Sequence, residues 1–405
     1  MRIGFITYEF PPDIAMGGIA TYVEQASKLL AIRGQDVEVF CGSTIRDISE
    51  NINGVLIHRV KSLSAAEFSI NCVDKFSSRH EAKPFDIIES PEINANGLYI
   101  KQKYPKLPMV VKLHTPGFLQ MRLYNFYTSK LSKLRFYIGA LRRGRIRKFG
   151  YYEHKLDLDY KITRLADAVV SPSKSLRKIL IKEWELEGDS IAVIPYPFIP
   201  PTDLLNLPVK NQPGKVVSFI GKLNVHKGIV NLVKVIPIVV RKHPDVIFRL
   251  IGNDSFFSVK KMNMSAFIKN ELAGYEKNYI IEGGIPYTEI MQQIGTSSVC
   301  IFPSIWENFP LVCLESMSAG RAVIGSSEGG MQEMLSNGAG EIIDPLNIEQ
   351  MANAVIKLLD NESLRHRCGN AAREKVLTAY NGEIVGKAME DHFADVIRRC
   401  KLKET

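Results

Sequence analysis

The sequence predicts an α/β protein built from two doubly wound domains that face each other across a cleft. Three observations predict it. Short β-branched runs alternate with amphipathic helical runs along most of the chain, the rhythm of parallel sheets covered on both faces. The chain has 405 residues, more than one ordinary core and enough for two. A proline-rich break near the middle divides the alternation into two series.

The first series opens at once. RIGFIT (2–7) and DVEVF (36–40) read as strands around the amphipathic run GGIATYVEQASKLLAIRG. VLIHRV (55–60), FDIIES (85–90), MVVKLH (109–114), DAVVSPS (167–173) and IAVIP (191–195) continue it, with helical patterns between most of them. FIPPTDLLNLPVKNQPG (198–214) then reads as a linker, with four prolines and no sustained period. The second series is KVVSFIG (215–221), DVIFRLIG (245–252), NYIIEGG (278–284), SSVCIFPS (297–304) and AVIGSS (322–327). Helices fill the tail from about 362. The expected domains are 1–198, carrying a basic helical insertion at about 118–152, and 215–382, with 199–214 as linker. Residues 383–405 are expected to form a helix that returns to the first domain.

Composition narrows the class. At 45% hydrophobic and 23% charged the chain reads as a soluble globular protein. It has no apolar run of the roughly 18 residues a membrane span requires. MRIGFITYEF reads as a strand and lacks secretory-signal anatomy. The six cysteines form no CxxC pair, which suits free thiols in a reducing cytoplasm. The net charge of +9 is regional: Ile93 to Tyr152 holds no acid and 13 Lys and Arg, so the remainder is net acidic. Such a patch points to a local partner.

Three stretches can carry chemistry. In PPDIAMGGIATYV, Gly17 and Gly18 follow a strand and open a helix, where main chain can approach a phosphate or sugar. A turn that merely needs glycine is the plain alternative. In FIGKLNVHKG, Lys222 and Lys227 follow Gly221 at the end of a strand, a place suited to a diphosphate; two solvated lysines would read the same. In SIWENFPLVCLESMSAG, a helix is expected from about Pro310 to Ala319. The N–H groups of Asn308, Phe309 and Leu311 would face phosphate there, leaving Glu307 to accept from sugar hydroxyls and Glu315 from a ribose. The alternative is an acid that only complements the helix dipole. Asp157-Leu158-Asp159 fits a DxD metal pattern but falls inside a helical run, so no metal site is expected.

Together these stretches, with IPYTEIMQQIGTSSVCIFPS, resemble retaining glycosyltransferases of the GT-B fold, in the glycosyl transferases group 1 family with its E-x7-E signature. The resemblance covers most of the chain apart from the basic region. It implies transfer of a hexose-type sugar from a UDP- or GDP-sugar to an acceptor hydroxyl on a glycan or lipid, with retention and with neither metal nor other cofactor. Glu307 would contact the donor sugar and Glu315 the ribose. Lys222 and Lys227 would neutralise the diphosphate. Ile285 would meet the base, Gly18 the diphosphate, and His114 the sugar near the reacting carbon. Two departures stand out: Lys222 where the family has Arg, and Tyr196-Pro197 where it often has Asn-Gly. Other readings are a nucleotide-sugar epimerase of the same architecture and a basic binding protein without catalysis.

The insertion interleaves aromatic and aliphatic residues with cations, among them Arg142, Arg143, Arg145, Arg147 and Lys148. This is the pattern of a helix on an anionic membrane or against a lipid acceptor. No nucleic-acid module accompanies it. The expected location is cytoplasmic, with peripheral contact on the membrane face; a solvated basic helix is the alternative.

Overall fold

The computed structural model describes residues 1–14, 17–144, 148–209 and 214–403, with the main chain alone at Asp189. The chain divides into two compact units. The first is Met1–Leu119, Tyr152–Ile199 and Tyr380–Thr405; the second is Gln120–Tyr151 and Pro200–Ala379.

The first unit is built on eight strands: β1 (Arg2–Thr7), β2 (Asp36–Ser43), β3 (Ile48–Ile52), β4 (Val55–Lys61), β5 (Ile87–Pro91), β6 (Met109–Lys112), β7 (Ala168–Ser171) and β8 (Ile191–Val193). Their order is β3-β4-β2-β1-β5-β6-β7-β8. Every pairing is parallel except β3 on β4. The six residues of RIGFIT are all buried, as a central parallel strand covered on both faces requires. β3 is an addition to the sequence reading. Asn53 and Gly54 (φ 54° and 84°) turn it onto β4, and the Asn-Gly pair is a strong hairpin signal.

The helix Gly382–Leu402 belongs to this unit and buries Val385, Met389, Phe393 and Val396. A Cβ added at Gly386 would stand 3.0 Å from Leu29, so the glycine permits close approach to the helix Gly18–Ile32. Arg33, just past that first helix, pairs with Glu383 at 2.6 Å and Glu390 at 2.8 Å.

The second unit contains β9 (Val216–Ile220), β10 (Ile247–Ile251), the two-residue pair β11 (Phe256–Phe257) and β12 (Met262–Asn263), then β13 (Tyr279–Glu282), β14 (Val299–Phe302), β15 (Ala322–Ser326) and β16 (Glu341–Ile343). The main sheet runs β13-β10-β9-β14-β15-β16, parallel throughout. The helix Ile229–Lys242 buries Leu232, Val235, Ile236 and Val239, and Ile348–Asp360 buries Met351, Val355 and Leu358, in one core with β9, β10 and β14.

One expectation changes. The basic insertion, read as part of the first domain, is grouped from Gln120 to Tyr151 with the second unit. Tyr127 packs against that unit's core, and the Tyr124 ring meets His226 edge-on at 4.5 Å. Within the linker, Thr202–Leu205 is a short helix with Leu204 buried, while 210–213 lie outside the described residues. Among the described residues no helix is long and apolar enough to cross a membrane.

Candidate active site

In the second unit the candidate residues gather beyond the carboxyl ends of the strands, where open parallel sheets bind ligands. The loop after β9 carries Lys222 and Lys227, that after β13 carries Ile285, and that after β14 carries Glu307. β9 and β14 are neighbours.

Local chain chemistry sets these loops. Gly228 (φ 78°) caps the helix Ile229–Lys242. A Cβ there would meet the Pro303 carbonyl at 1.8 Å, so only glycine lets the two loops close. Asn224 Oδ1 accepts from the Lys227 N–H at 2.9 Å and rounds the turn. The Ile305 N–H donates to the His226 carbonyl at 2.8 Å. On the other side the Gly330 N–H donates to the Glu307 carbonyl at 2.9 Å, and the Glu307 N–H to the Glu328 carbonyl at 3.3 Å. Three loops are thus cross-linked through main chain, and Glu307 stands at the middle of them.

The Lys227 ammonium donates to Glu307 Oε2, which also accepts from Ser304 Oγ at 3.3 Å. Their side chains are 32% and 22% exposed. A pair this open to water contributes about 0–1 kcal/mol, so a ligand can part it cheaply while it holds both groups in place. Lys222, on the same loop as Lys227, is exposed. Burial, then the Lys227 charge, lowers the His226 pKa.

The helix after β14 runs Leu311–Ser318, with Pro310 as its cap rather than its first turn. Asn308, Phe309 and Pro310 are buried. Glu315 projects from the second turn and hydrogen-bonds Tyr287. Burial lifts its carboxyl to about 7, against the opposing pull of that hydrogen bond. Ile285, half-buried, lies two residues before Tyr287. Asn224, Ser304, Tyr287 and Gly329 were not singled out from sequence. A hydroxyl or amide a few residues from each chosen residue is a signal that only loop geometry makes legible.

In the first unit, Gly17 caps the helix Gly18–Ile32. A Cβ at Gly18 would have nothing within 4 Å, and one at Gly17 would meet only the Glu9 carboxylate at 3.9 Å. Among the described residues, packing therefore does not demand glycine at either position, and both glycines are exposed. His114 lies just past β6. Its N–H donates to both Glu92 carboxylate oxygens at 2.8 Å, and its Nδ1 shares a 2.7 Å hydrogen bond with the Tyr196 hydroxyl. Tyr22 and Tyr196 rings stand 5.2 Å away on centroids. Burial and then the Lys112 charge push its pKa down to about 3, so it is a neutral imidazole at pH 7. Tyr196 is one of the two departures noted from sequence, and it takes up the histidine.

Asp157 and Asp159 are spent locally. Asp157 Oδ1 accepts from the Asp159 N–H at 2.9 Å and its Oδ2 from the Tyr152 hydroxyl at 2.7 Å. Asp159 accepts the N–H groups of Asn94 and Gly117, each at 3.0 Å. Arg142, Arg143 and Lys148 are exposed in the insertion, and Arg145 and Arg147 lie outside the described residues.

Comparison with known proteins covers both halves of the chain. Residues 206–375 match the model of the Glycosyl transferases group 1 family, and residues 16–198 that of Glycosyltransferase Family 4. An uncharacterized glycosyltransferase of Methanocaldococcus jannaschii is 22% identical over 409 residues, covering 96% of each chain. Sucrose-phosphate synthase from Thermosynechococcus elongatus shares the fold with a TM-score of 0.74 at 20% identity, over 98% of this chain and 100% of that one. Anabaena HepE, solved in complex with UDP-glucose, does so with a TM-score of 0.66 at 16% identity, over 98% and 100%. With strand order, the solved structures and the matches to both halves in agreement, the chain is a glycosyltransferase of the GT-B fold, its residues 206–375 matching the Glycosyl transferases group 1 model.

Proposed function

We propose that this enzyme moves a hexose-type sugar from a UDP- or GDP-sugar to an acceptor hydroxyl on a glycan or lipid, with retention and without a metal ion. The observation that carries the reading is the meeting of Lys227 and Glu307, about 80 residues apart in sequence, at adjacent strand ends of one parallel sheet. The UDP-glucose complex of HepE, a protein of the same fold, supports the donor class.

The chemistry follows from charge. Breaking the bond from C1 to the diphosphate oxygen leaves an oxocarbenium-like sugar and a departing dianion. Lys222 and Lys227 face that dianion, and preorganised cations stabilise it more than water does. Glu307, released from Lys227 by the phosphate, accepts from sugar hydroxyls, and Glu315 from the ribose. The acceptor oxygen bonds C1 on the face the diphosphate leaves, and its proton passes to the leaving phosphate oxygen. In the first unit, neutral His114 is assigned a sugar hydroxyl and the exposed Gly17-Gly18 helix start the diphosphate, both on the family resemblance.

The test is nucleoside diphosphate release across a panel of nucleotide sugars, with and without EDTA, and product anomer read by NMR. Release in EDTA with the donor's anomeric configuration kept is the expected result. Lys227→Ala should lower turnover about 10²–10³-fold and stability by no more than about 1 kcal/mol. An inverted product, a full loss in EDTA that manganese restores, or unchanged turnover in Lys227→Ala would each remove the corresponding part of the proposal.

A further inference from the structure

The helix Lys130–Arg142 in the second unit buries none of its residues. Leu131, Leu134, Ile138 and Leu141 are 57%, 54%, 42% and 70% exposed. At 3.6 residues per turn these four positions form one stripe. Single exposed apolar residues need no explanation, but a contiguous stripe does. Lys130 borders it on one side, and Arg135 and Arg142 on the other; all three are exposed. Arg143 and Lys148, also exposed, follow the helix. The opposite side of the helix is partly covered by Phe149. The Phe136 ring meets Phe149 at 5.3 Å, and Lys133 Nζ stands 5.6 Å from the same ring.

We propose that this helix lies in the surface of an anionic lipid bilayer, its leucine stripe among the acyl chains and its flanking cations on the headgroups. An apolar stripe with cations on both edges is what an interfacial helix presents to such a surface. The acid-free stretch from Ile93 to Tyr152 removes repulsion from the headgroups. The same lack of acids disfavours a second copy, which would set like charges together. The outward stripe is aliphatic, which suits acyl chains better than stacked bases. The start of the helix also borders the candidate site: Ser129 and Ser132 line a cavity of about 200 Å³ with Lys222 and His226. Ser129 and Ser132 lie on the side of the helix opposite the stripe, so docking leaves these loops facing away from the acyl chains. The docking is independent of the donor reading and is measured without turnover.

The experiment is co-sedimentation of the full chain with vesicles of mixed phosphatidylglycerol and phosphatidylcholine, with pure phosphatidylcholine vesicles and single-stranded RNA as parallel arms. Binding to the anionic vesicles alone is expected. At low salt each basic residue contributes about fivefold in partitioning, so Arg135→Gln/Arg142→Gln/Arg143→Gln together should lose about a hundredfold. Leu134→Ser/Ile138→Ser/Leu141→Ser should also lose at least about tenfold. None of these side chains is buried, so both variants should keep the wild-type melting temperature. Preferential RNA binding, sedimentation unchanged in both variants, or a dimer abolished by the stripe variant would overturn the proposal.

Discussion

Glu315 shows how one residue couples pH to the site. Burial places its ionisation near pH 7 in the folded chain, against about 4.5 for the free side chain. Between those values the folded form holds a proton that the unfolded chain has lost. The stability this group contributes is therefore complete below pH 4.5 and is lost as pH rises through 7. Glu315→Gln removes that dependence. Between pH 5 and pH 8 the variant's melting temperature should fall by a few degrees less than the wild type's in thermal melts. Donor affinity should strengthen through pH 7 in the wild type, as the ionised carboxylate accepts from the ribose, and stay flat in the variant. Parallel melting curves would remove the buried-carboxyl account. At this scale the sequence was legible in kinds of group more than in partners. It placed cations and acids at strand ends, but not that Lys227 would hold Glu307, nor that Tyr287 and Tyr196 would hold Glu315 and His114. Those partners are set by three-dimensional loop closure, which local pattern does not encode.

Among the elements, the turn after β15 holds a constraint as tight as the one at Gly228 and places it directly on the Glu307 loop. Gly329 has φ 100°, and a Cβ on it would stand 1.9 Å from the Glu307 carbonyl oxygen. Gly329→Ala should therefore push the Glu307 loop away. The expected cost is about 3 kcal/mol in urea unfolding and about a hundredfold in turnover, since small misplacements at a reacting centre are costly. Gly338 is the control. It shares a positive φ of 79° but has open space at Cβ, so Gly338→Ala should cost only about 1–2 kcal/mol and leave turnover intact. Equal effects in the two variants would show that backbone conformation alone matters. Strands buried along their whole length, such as β1 and β15, were legible because burial on both faces leaves no polar alternation to confuse them. β3 and β16 were not. ISENI is an edge strand with mostly exposed residues, and Glu341–Ile343 is three residues long. Neither carries enough hydrophobic pattern to stand out from a loop.

For the whole molecule, the two-domain α/β architecture follows from the repeated rhythm, while the allocation of chain to units does not. The basic insertion reads as belonging to the domain that surrounds it in sequence, yet its aromatic residues pack with the second unit. The helix Gly382–Leu402 supplies four large apolar side chains to the first unit. Ending the chain at Tyr380 would remove them and the Arg33 ion pairs. With about 1.5–3 kcal/mol per buried side chain, the loss is about 6–12 kcal/mol, comparable to the whole stability of an ordinary domain, about 5–15 kcal/mol. Scanning calorimetry should then show the first unit's transition gone and a transition for the second unit retained. Loss of both together would mean the two units melt as one cooperative block.

That helix also sets a schedule. Chains are made from the N-terminus and domains commonly fold as they emerge. Here the first unit draws on residues 380–405, which leave the ribosome after every residue of the second unit. The unit begun first is finished last, and during synthesis the Leu29 face of its first helix must wait, uncovered, for a partner more than 350 residues downstream.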